Sequence, residues 1–505
     1  MFEKYEFLKG LVKVSLDEKV NFERVVNEYY VVEPFIKIVI TEEADGKLKY
    51  HVVEPTLSVE ETRVLTSLIS DLKRILALQD ISERFEERID RLIRTLNKLL
   101  REYGIETEED FYARMLYYIF REFFGFGAIE ALMLDPNVED ISCDGYEIPI
   151  FVYHKDYGYL ETNIKLQKQT LDRMVLLLTQ KGGKHISIAN PIVDATLPDG
   201  SRLQATFGTE VTPKGSSFTI RKFTMRPLTP LDLIKSGTVP LGIMAYLWLA
   251  IEYKLSLIVV GETGSGKTTT LNAILMFIPP NAKVVSIEDT REIRLYHENW
   301  LAQVTRVGIG EREIEMYDLL KAALRQRPDY IVVGEVRGRE TLTLFQAMAT
   351  GHASYSTLHA GDINQMVYRL ESDPLSVPRS MIQFLDIVLV QTLYFRQGKR
   401  IRKVKEVNEI LGIDPVDKNL LVNQFLKWDP KEDRHVQLSS PKKLEKIALL
   451  RGDDVFEELE RRKIYLEWMI KKGVSDYREF TSLIHLYYRN PELAFSRAYD
   501  DTGKA

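Results

Sequence analysis

The chain has 505 residues, of which 45% are hydrophobic, so it exceeds the size at which one core stops growing, and we expect two to four domains. Its 74 acidic and 68 basic residues give a net charge of -6, which excludes a global electrostatic attraction to nucleic acid or anionic lipid. Cys143 is the only cysteine, which excludes an intrachain disulfide and a four-cysteine zinc site and fits a reducing cytoplasm.

The N-terminal residues contain neither an uninterrupted apolar stretch nor a small-residue cleavage site, so they do not resemble a secretory signal. The most apolar segment, Leu241 to Ile251, is too short to cross a bilayer and continues into Glu252, which favours a buried core helix. We therefore expect a protein inside the cell that meets the membrane only through partners.

Residues 1–105 are predicted to form a small α+β head with a possible role in partner docking. Two β-rich segments surround Asp45-Gly46, which is typical of a hairpin, and Ser58 with Glu61 has the spacing of a helix capping box. Between Ile81 and Leu100, apolar residues recur every three or four positions, which predicts one long amphipathic helix. Core packing explains this stripe, and partner binding stays an alternative.

Residues 106–222 are predicted to form a compact α+β domain, because a helical segment is followed by strand-like pieces and turns such as Asp144-Gly145 and Pro198–Gly200. Prolines and a glycine then cluster within residues 223–240, where one continuous helix is excluded. This composition indicates a linker or hinge between domains.

Residues 241–395 are predicted to form an α/β domain with a doubly wound parallel sheet, in which ligands bind at the carboxyl ends of the strands. Apolar strand candidates alternate there with helical stretches, at 255–260, 283–287, 330–334, 353–357 and 387–393. Residues 396–505 begin with a peripheral antiparallel pair around Arg400 and continue as a charge-rich helical tail.

Residues Gly261 to Thr268, GETGSGKT, fill the phosphate-loop template G-x-x-x-x-G-K-[ST] at every fixed position. Backbone N–H groups hold a polyphosphate, and only glycines let a turn approach it closely. Lys267 is expected to reach the β- and γ-phosphates, and the Thr268 hydroxyl to bind Mg²⁺. The predicted nucleotide-binding residues of the loop are Glu262, Thr263, Gly264, Ser265, Gly266, Lys267, Thr268 and Thr269.

Hydrolysis also needs a group that orients water, and Glu335 follows directly on the predicted strand at 330–334. Most phosphate-loop ATPases carry an aspartate before this glutamate to help hold Mg²⁺, but this chain has Gly334. Glu288 and Asp289, at the end of another predicted strand, are the nearest candidates to replace it.

The blocks around these residues resemble the secretion ATPase superfamily that drives type II secretion, type IV pilus assembly and archaeal surface filaments. Residues 324–340 are similar to the Walker B block of that family, whose Gly-Glu ending replaces the usual Asp-Glu. Residues 286–292 resemble its aspartate box and residues 350–360 its histidine box. The catalytic residues that the resemblance and the loop together imply are Lys267, Glu288, Asp289, Glu292, Glu335, His352 and His359.

Two further expectations come from the resemblance. The seven-residue spacing of His352 and His359 is interpreted as placing both at a strand end, where one senses the γ-phosphate and the other positions its neighbours. Segments around Arg202 and Arg221 look like the nucleotide-facing segments of the family's N-terminal domain. These arginines are therefore expected to bind phosphate oxygens and to link ATP occupancy to domain motion.

The resemblance implies a RecA-like core, a PAS-like α+β domain before it, and ATP with Mg²⁺ as cofactors. It also implies a hexameric ring that works on a polytopic membrane platform protein at the cytoplasmic face of the membrane. The chain lacks the tetracysteine motif of many bacterial members, so the archaeal-type members are the closer likeness.

Other classes of protein stay open as alternatives. A nucleic-acid translocating RecA-like motor shares the core fold, although no basic stripe supports it and no nucleic acid is expected as a partner. A scaffold that binds ATP without hydrolysis is disfavoured by Lys267, Thr268 and Glu335 together. A GTPase is disfavoured because the guanine-reading pattern Asn-Lys-x-Asp is absent, and a small-molecule kinase because no acceptor-site signature is evident.

Overall fold

The computed structural model describes Tyr5 and residues 22–76, 85–223, 226–306, 313–396, 399–452 and 454–502. The chain divides into two compact units, Met1–Thr224 and Met225–Ala505. The finer division into five segments stays a prediction. Among the described residues, none of the helices combines the length and the apolarity that crossing a membrane requires.

The first unit is built on a nine-stranded sheet whose order is β1-β2-β3-β6-β5-β4-β9-β8-β7. All neighbouring strands are antiparallel except β3 and β6, which pair in parallel and join the N-terminal strands to the rest of the sheet. The strands are β1 (Val25–Val32), β2 (Ile36–Glu42), β3 (Leu48–Val53), β4 (Val138–Cys143), β5 (Pro149–His154), β6 (Gly158–Lys165), β7 (Ile192–Thr196), β8 (Arg202–Thr206) and β9 (Ser217–Arg221).

Three local predictions for this unit are confirmed. β2 and β3 form an antiparallel hairpin around Asp45-Gly46. The Ser58 N–H donates to Glu61 Oε2 at 2.7 Å and the Glu61 N–H donates to Ser58 Oγ at 3.1 Å, so the capping box is reciprocal. The apolar stripe of the helix Phe85–Glu102 is buried from Ile89 to Leu99, whereas Phe85 is 38% exposed. Residues 81–84 of the predicted helix lie outside the described residues.

Within the residues that the structure describes from Phe22 onward, the α-helices of the first unit are α1 (Val59–Leu76), α2 (Phe85–Glu102), α3 (Glu109–Phe123), α4 (Glu130–Leu134) and α5 (Lys168–Lys181). Their apolar faces pack with the inward-facing side chains of the sheet in one continuous core. Along β8 and β9, buried and exposed residues alternate, so one face of these strands lies on the core and the other is exposed.

The second unit is also built on a nine-stranded sheet, with the order β12-β11-β13-β14-β10-β15-β16-β17-β18. The first six of these strands run in parallel and the last three continue the sheet in antiparallel fashion. The strands are β10 (Leu257–Gly261), β11 (Val284–Glu288), β12 (Trp300–Val304), β13 (Tyr330–Val333), β14 (Ala353–His359), β15 (Ile387–Arg396), β16 (Lys399–Ile413), β17 (Leu420–Asp429) and β18 (Arg434–Gln437).

The five predicted parallel strands are confirmed within a few residues, and so is the antiparallel pair around Arg400. β12 was missed, because this edge strand is partly exposed and lacks a long apolar run. β14 separates the phosphate-loop strand β10 from β13, the strand that leads to Glu335. This strand order is that of a RecA-like α/β core, and the predicted fold class is confirmed.

The helices that the structure describes in the second unit pack on both faces of its sheet, where they form two hydrophobic cores. They are α6 (Pro230–Lys235), α7 (Leu241–Glu252), α8 (Lys267–Leu275), α9 (Met316–Leu324), α10 (Glu340–Ala349), α11 (Ile363–Glu371), α12 (Arg379–Ile382), α13 (Lys443–Arg451), α14 (Val455–Lys471), α15 (Tyr477–Arg489) and α16 (Pro491–Thr502). Residues 243–251 of α7 are all buried, which confirms the predicted core helix.

The C-terminal helices belong to the core of the second unit. The fully buried Arg462 of α14 donates from Nε to Glu458 Oε1 at 2.7 Å, and its guanidinium lies 4.6 Å from the ring centroid of Trp248 on α7. Trp248 Nε1 donates to the Tyr488 hydroxyl of α15 at 2.9 Å. Since a buried guanidinium is stable only when paired, these contacts fix α14 and α15 against α7.

Candidate functional site

The phosphate loop connects the buried strand β10 to helix α8. A Cβ atom on Gly261 would lie 2.5 Å from the Gln391 carbonyl oxygen and 2.6 Å from Ser265 Oγ, so only glycine fits there. Gly264 and Gly266 have φ values of +75° and +94°, which glycine adopts without strain. The backbone thus has the tight turn that a phosphate-binding loop needs, and the N-terminus of α8 follows at Lys267.

Lys267 extends its amine into this turn. Its Nζ donates to the Glu262 carbonyl at 2.9 Å and lies 3.3 Å from His359 Nδ1. Burial lowers the pKa of Lys267, while the charge of Glu335 opposes that shift. The amine therefore lies inside the loop, beside the groups that the strands β13 and β14 contribute.

Glu335 and His359 meet at the carboxyl end of the parallel sheet. His359 ends β14 and lies opposite Gly261 in the register of β10 and β14. Its Nε2 lies 2.8 Å from Glu335 Oε1, and Arg369 donates to its backbone carbonyl. Burial and the charge of Lys267 lower the pKa of His359. Lys267, His359 and Glu335 therefore form one chain of contacts.

Glu288 fills the space beside Gly334. A Cβ atom on Gly334 would lie only 3.1 Å from Glu288 Cγ, which gives a steric reason why this chain carries glycine where other ATPases carry aspartate. Glu288 Oε1 accepts hydrogen bonds from the Glu292 and Ile293 N–H groups at 2.8 and 2.9 Å. Its Oε2 is buried and has no hydrogen-bond partner among the described residues. Burial raises the pKa of Glu288 to about 7.

The other two acidic residues of this block face different surroundings. Asp289 forms an ion pair with Arg337 and accepts a hydrogen bond from Thr305 Oγ1 at 3.0 Å. The side chain of Glu292 is exposed, and its described contact with Glu288 is made by its backbone. Of the three carboxylates, only Glu288 presents a buried and unpartnered oxygen.

The donor set fits a magnesium ion that is shared with a nucleotide. Within the described ranges, no group of three or more His, Cys, Asp or Glu side chains is placed to hold a metal by itself. Mg²⁺ usually keeps several waters and binds one or two protein oxygens together with substrate phosphates. Thr268, half-buried in the first turn of α8, and Glu288 Oε2 are oxygen donors of the kind that Mg²⁺ takes.

The expectation that one strand end carries both histidines is wrong. His352 precedes β14 and His359 ends it, so the 7-residue strand separates them by about 20 Å. His352 Nδ1 instead lies 3.2 Å from Thr350 Oγ1. Within one chain, His352 is thus not brought together with the phosphate loop.

Arg202 and Arg221 are direct cross-strand neighbours on β8 and β9 in the first unit. Both side chains are exposed, and Asp140 is opposite Arg221 on the other side. Like charges directly opposite each other on antiparallel strands repel, and Asp140 offsets part of this repulsion at Arg221. Their contact with nucleotide stays a prediction.

Two residues beside the loop were missed from the sequence. The buried Gln391 of β15 accepts a hydrogen bond from Thr270 Oγ1 at 3.3 Å, and Arg402 of β16 donates from Nε to the Gly264 carbonyl at 3.0 Å. No local motif marks either residue. Gln391 becomes apparent only from the pairing of β10 with β15, in which it lies opposite Gly261.

The strand order is that of a RecA-like core, and the turn between β10 and α8 has the glycine geometry of the phosphate-loop template. The model of the family described as "Type II/IV secretion system protein" matches residues 147–421, and the model described as "PilB3-like, C-terminal" matches residues 450–503. The chain belongs to this type II/IV secretion-system ATPase superfamily, as the sequence motifs indicated.

The chain is also similar to individual proteins. The uncharacterized protein MJ0900 of Methanocaldococcus jannaschii is 39% identical over 508 residues, which cover 94% of this chain and 91% of that protein. The type IV secretion system protein PtlH of Bordetella pertussis is 33% identical over 46% of this chain and 80% of its own length. The ATPase DotB of Legionella pneumophila has a TM-score of 0.41 at 20% identity, over 70% of this chain and 95% of its own.

Proposed function

We propose that the chain is a subunit of a hexameric motor that hydrolyses ATP to power type II secretion or the assembly of type IV pilus-like or archaeal surface filaments. Such a motor would act on a polytopic platform protein at the cytoplasmic face of the membrane. The observation that carries the proposal is the chain of contacts from Lys267 through His359 to Glu335, beside a complete phosphate loop. The family match does not favour the nucleic-acid motor.

Nucleotide binding begins at Lys267. Its amine now donates to the Glu262 carbonyl, and a triphosphate offers it a stronger, charge-assisted acceptor. As Lys267 turns toward the β- and γ-phosphates, its contact with His359 is exchanged for contacts with the ligand. His359 is then held chiefly by Glu335, so ATP binding reorganises the pair that faces the γ-phosphate.

Glu335 is proposed to orient the attacking water and to accept its proton. Its Oε1 lies 2.8 Å from His359 Nε2, which holds the carboxylate in one orientation at the strand end. The other carboxylate oxygen is then available to a water molecule. A bound Mg²⁺ would neutralise charge on the phosphates, with Thr268 and Glu288 as the protein groups that hold it.

Arg202 and Arg221 are proposed to stabilise the negative charge that develops on the phosphates during hydrolysis. Because they belong to the first unit, their engagement would make the angle between the units depend on ATP. The start of the predicted linker 223–240, where the chain passes from the first unit to the second, is the proposed hinge for this motion, because α6 already packs in the core of the second unit. A partner bound to either unit would then be displaced in each cycle of ATP hydrolysis.

The function is tested by Glu335→Gln, which keeps the shape of the side chain but removes the proton acceptor. ATP binding should stay within about two-fold of the wild-type value, while steady-state phosphate release falls by at least about 100-fold. Glu445→Gln, at a carboxylate on α13 whose side chain is 73% exposed, is the matched control. Unchanged turnover in Glu335→Gln would overturn the assignment.

Two companion measurements separate binding and assembly from chemistry. Lys267→Ala should weaken ATP binding itself, because the loop loses its charge-assisted donor. Light scattering should show the hexamer of the wild type in the presence of ATP, and a monomer under all conditions would contradict the ring.

A further inference from the structure

Arg402 contacts the phosphate loop from the flank opposite to Glu335 and His359. In the sheet, β13 and β14 lie on one side of β10, and β15 and β16 lie on the other. From β16, Arg402 Nε donates to the Gly264 carbonyl at 3.0 Å. Its Cδ lies only 3.2 Å from the position that a Cβ atom on Gly266 would take. The side chain therefore rests directly on the loop glycines.

The rest of the Arg402 guanidinium has no hydrogen-bond or ion-pair partner within the described part of the chain. The neighbouring basic residues of β16 are differently engaged: Lys403 lies 3.1 Å from Asp433, and Lys405 donates to the Gly361 carbonyl at 3.5 Å. A half-buried guanidinium that uses one of its five N–H donors retains the capacity to bind a ligand.

The position of Lys267 gives the direction in which a bound nucleotide lies. Its amine adjoins His359 and marks the end of the site that takes the γ-phosphate. The nucleoside must then leave the loop on a flank that Glu335 and His359 do not occupy. The flank of β15 and β16 meets this condition, and Arg402 is a cation of this flank that touches the loop.

We propose that Arg402 binds the nucleoside moiety of the nucleotide, with its planar guanidinium against the purine base, while its Nε holds the Gly264 carbonyl. Guanidinium planes stack on aromatic faces, and desolvation strengthens this contact. The proposal rests on the function proposed above only in that the ligand is a nucleoside triphosphate. Arg402 then contributes to the affinity for the nucleotide, whereas Glu335 contributes to its hydrolysis.

The test compares ADP with inorganic tripolyphosphate as probes, by isothermal titration calorimetry on the full chain. In Arg402→Ala, the Kd for ADP should rise roughly ten-fold, whereas the Kd for tripolyphosphate, which has no base, should stay within about two-fold. The KM for ATP should rise with the Kd for ADP while kcat stays within about two-fold. Arg396→Ala, at a 49% exposed arginine of β15, is the matched control.

Two results would overturn the proposal. An unchanged Kd for ADP would show that Arg402 makes no contact with the nucleotide. An equal loss for ADP and tripolyphosphate would show that Arg402 only supports the shape of the loop. If Arg402→Ala does not fold, Arg402→Gln, which keeps a side-chain N–H donor on the same strand, takes its place with the same two readouts. Because the two calorimetric Kd values are measured without hydrolysis, their outcome is independent of Glu335→Gln.

Discussion

The two units carry sheets of equal strand number that present functional groups in different ways. In the second unit, parallel strands end at one edge, so Gly261, Glu288, Glu335 and His359 converge there although they are far apart in the chain. In the first unit, Arg202 and Arg221 lie side by side on the exposed face of antiparallel strands. Strand order alone brings residues together at the carboxyl ends of parallel strands. Which residues become neighbours on the face of an antiparallel sheet depends instead on the register of the strands.

The functional groups on the two sheets have different electrostatic surroundings. The edge of the parallel sheet holds buried and half-buried groups whose pKa values are shifted by burial, as is common where chemistry occurs. The antiparallel face holds two exposed arginines, Arg202 and Arg221, which we propose bind the phosphates of the nucleotide. We therefore expect substitutions at the edge to alter ionisation and turnover, and substitutions on the face to alter turnover alone.

The largest expected effect of this difference concerns Glu288 in the protein without nucleotide or magnesium. Burial raises its pKa from 4.5 to about 7, so between these values the folded state holds a proton that the unfolded state has released. The free energy of unfolding should therefore fall as the pH rises from 5 to 8, by up to about 3 kcal/mol from this group. Glu288→Gln, which cannot ionise, should lose this part of the pH dependence.

Urea unfolding followed by tryptophan fluorescence measures this pH dependence of the free energy of unfolding. The signal reports on the unit that contains Glu288, because all four tryptophans lie in the second unit: Trp248, Trp300, Trp428 and Trp468. Glu445→Gln, at the 73% exposed carboxylate on α13, is the control and should keep the wild-type pH dependence. Parallel pH profiles for Glu288→Gln and the wild type would show that Glu288 is not a buried acid.

The second effect concerns the arginine pair. In Arg202→Ala and in Arg221→Ala, kcat should fall at least about 30-fold, because each variant loses a charge that stabilises the transition state. The Kd for ADP should change less than about two-fold, since the phosphate loop is intact. Arg173→Ala, at an exposed arginine on α5, controls for loss of surface charge in the same unit. Turnover at the wild-type rate in both arginine variants would confine the chemistry to the second unit.

The smallest expected effect is the difference in kcat between substitutions of the two histidines at opposite ends of β14. His359→Ala should lower kcat about ten-fold, because Glu335 loses the contact that orients it. His352→Ala should lower kcat less than about two-fold, since that side chain lies at the other end of the strand. Malachite-green phosphate assays on both variants make the comparison. A larger loss for His352 would contradict the roles drawn from the single chain.

These features differ in how far the sequence reveals them. The five parallel strands and the phosphate loop were predictable because buried strands are continuous apolar runs and the loop is a local template of glycines. Glu335 followed because it ends such a run. Interactions between residues close in the chain, such as the Ser58 capping box, were also predictable from the sequence.

What could not be predicted depends on contacts between distant segments. The pairing of β3 with β6 and the edge strand β12 have no local signature. The same is true of Arg402, which reaches Gly264 across 138 positions of sequence. The spacing of His352 and His359 was misleading, because seven residues of extended chain form a whole strand rather than one of its ends.

The central claim is that Glu335 acts in chemistry and leaves binding to the loop. The most direct measurement mixes the Glu335→Gln protein with radiolabelled ATP at a protein excess, quenches with acid over time and determines how much bound nucleotide is still ATP. We expect that the wild type converts bound ATP to ADP while the variant retains ATP on the same timescale. Conversion at the wild-type rate in the variant would contradict this expectation.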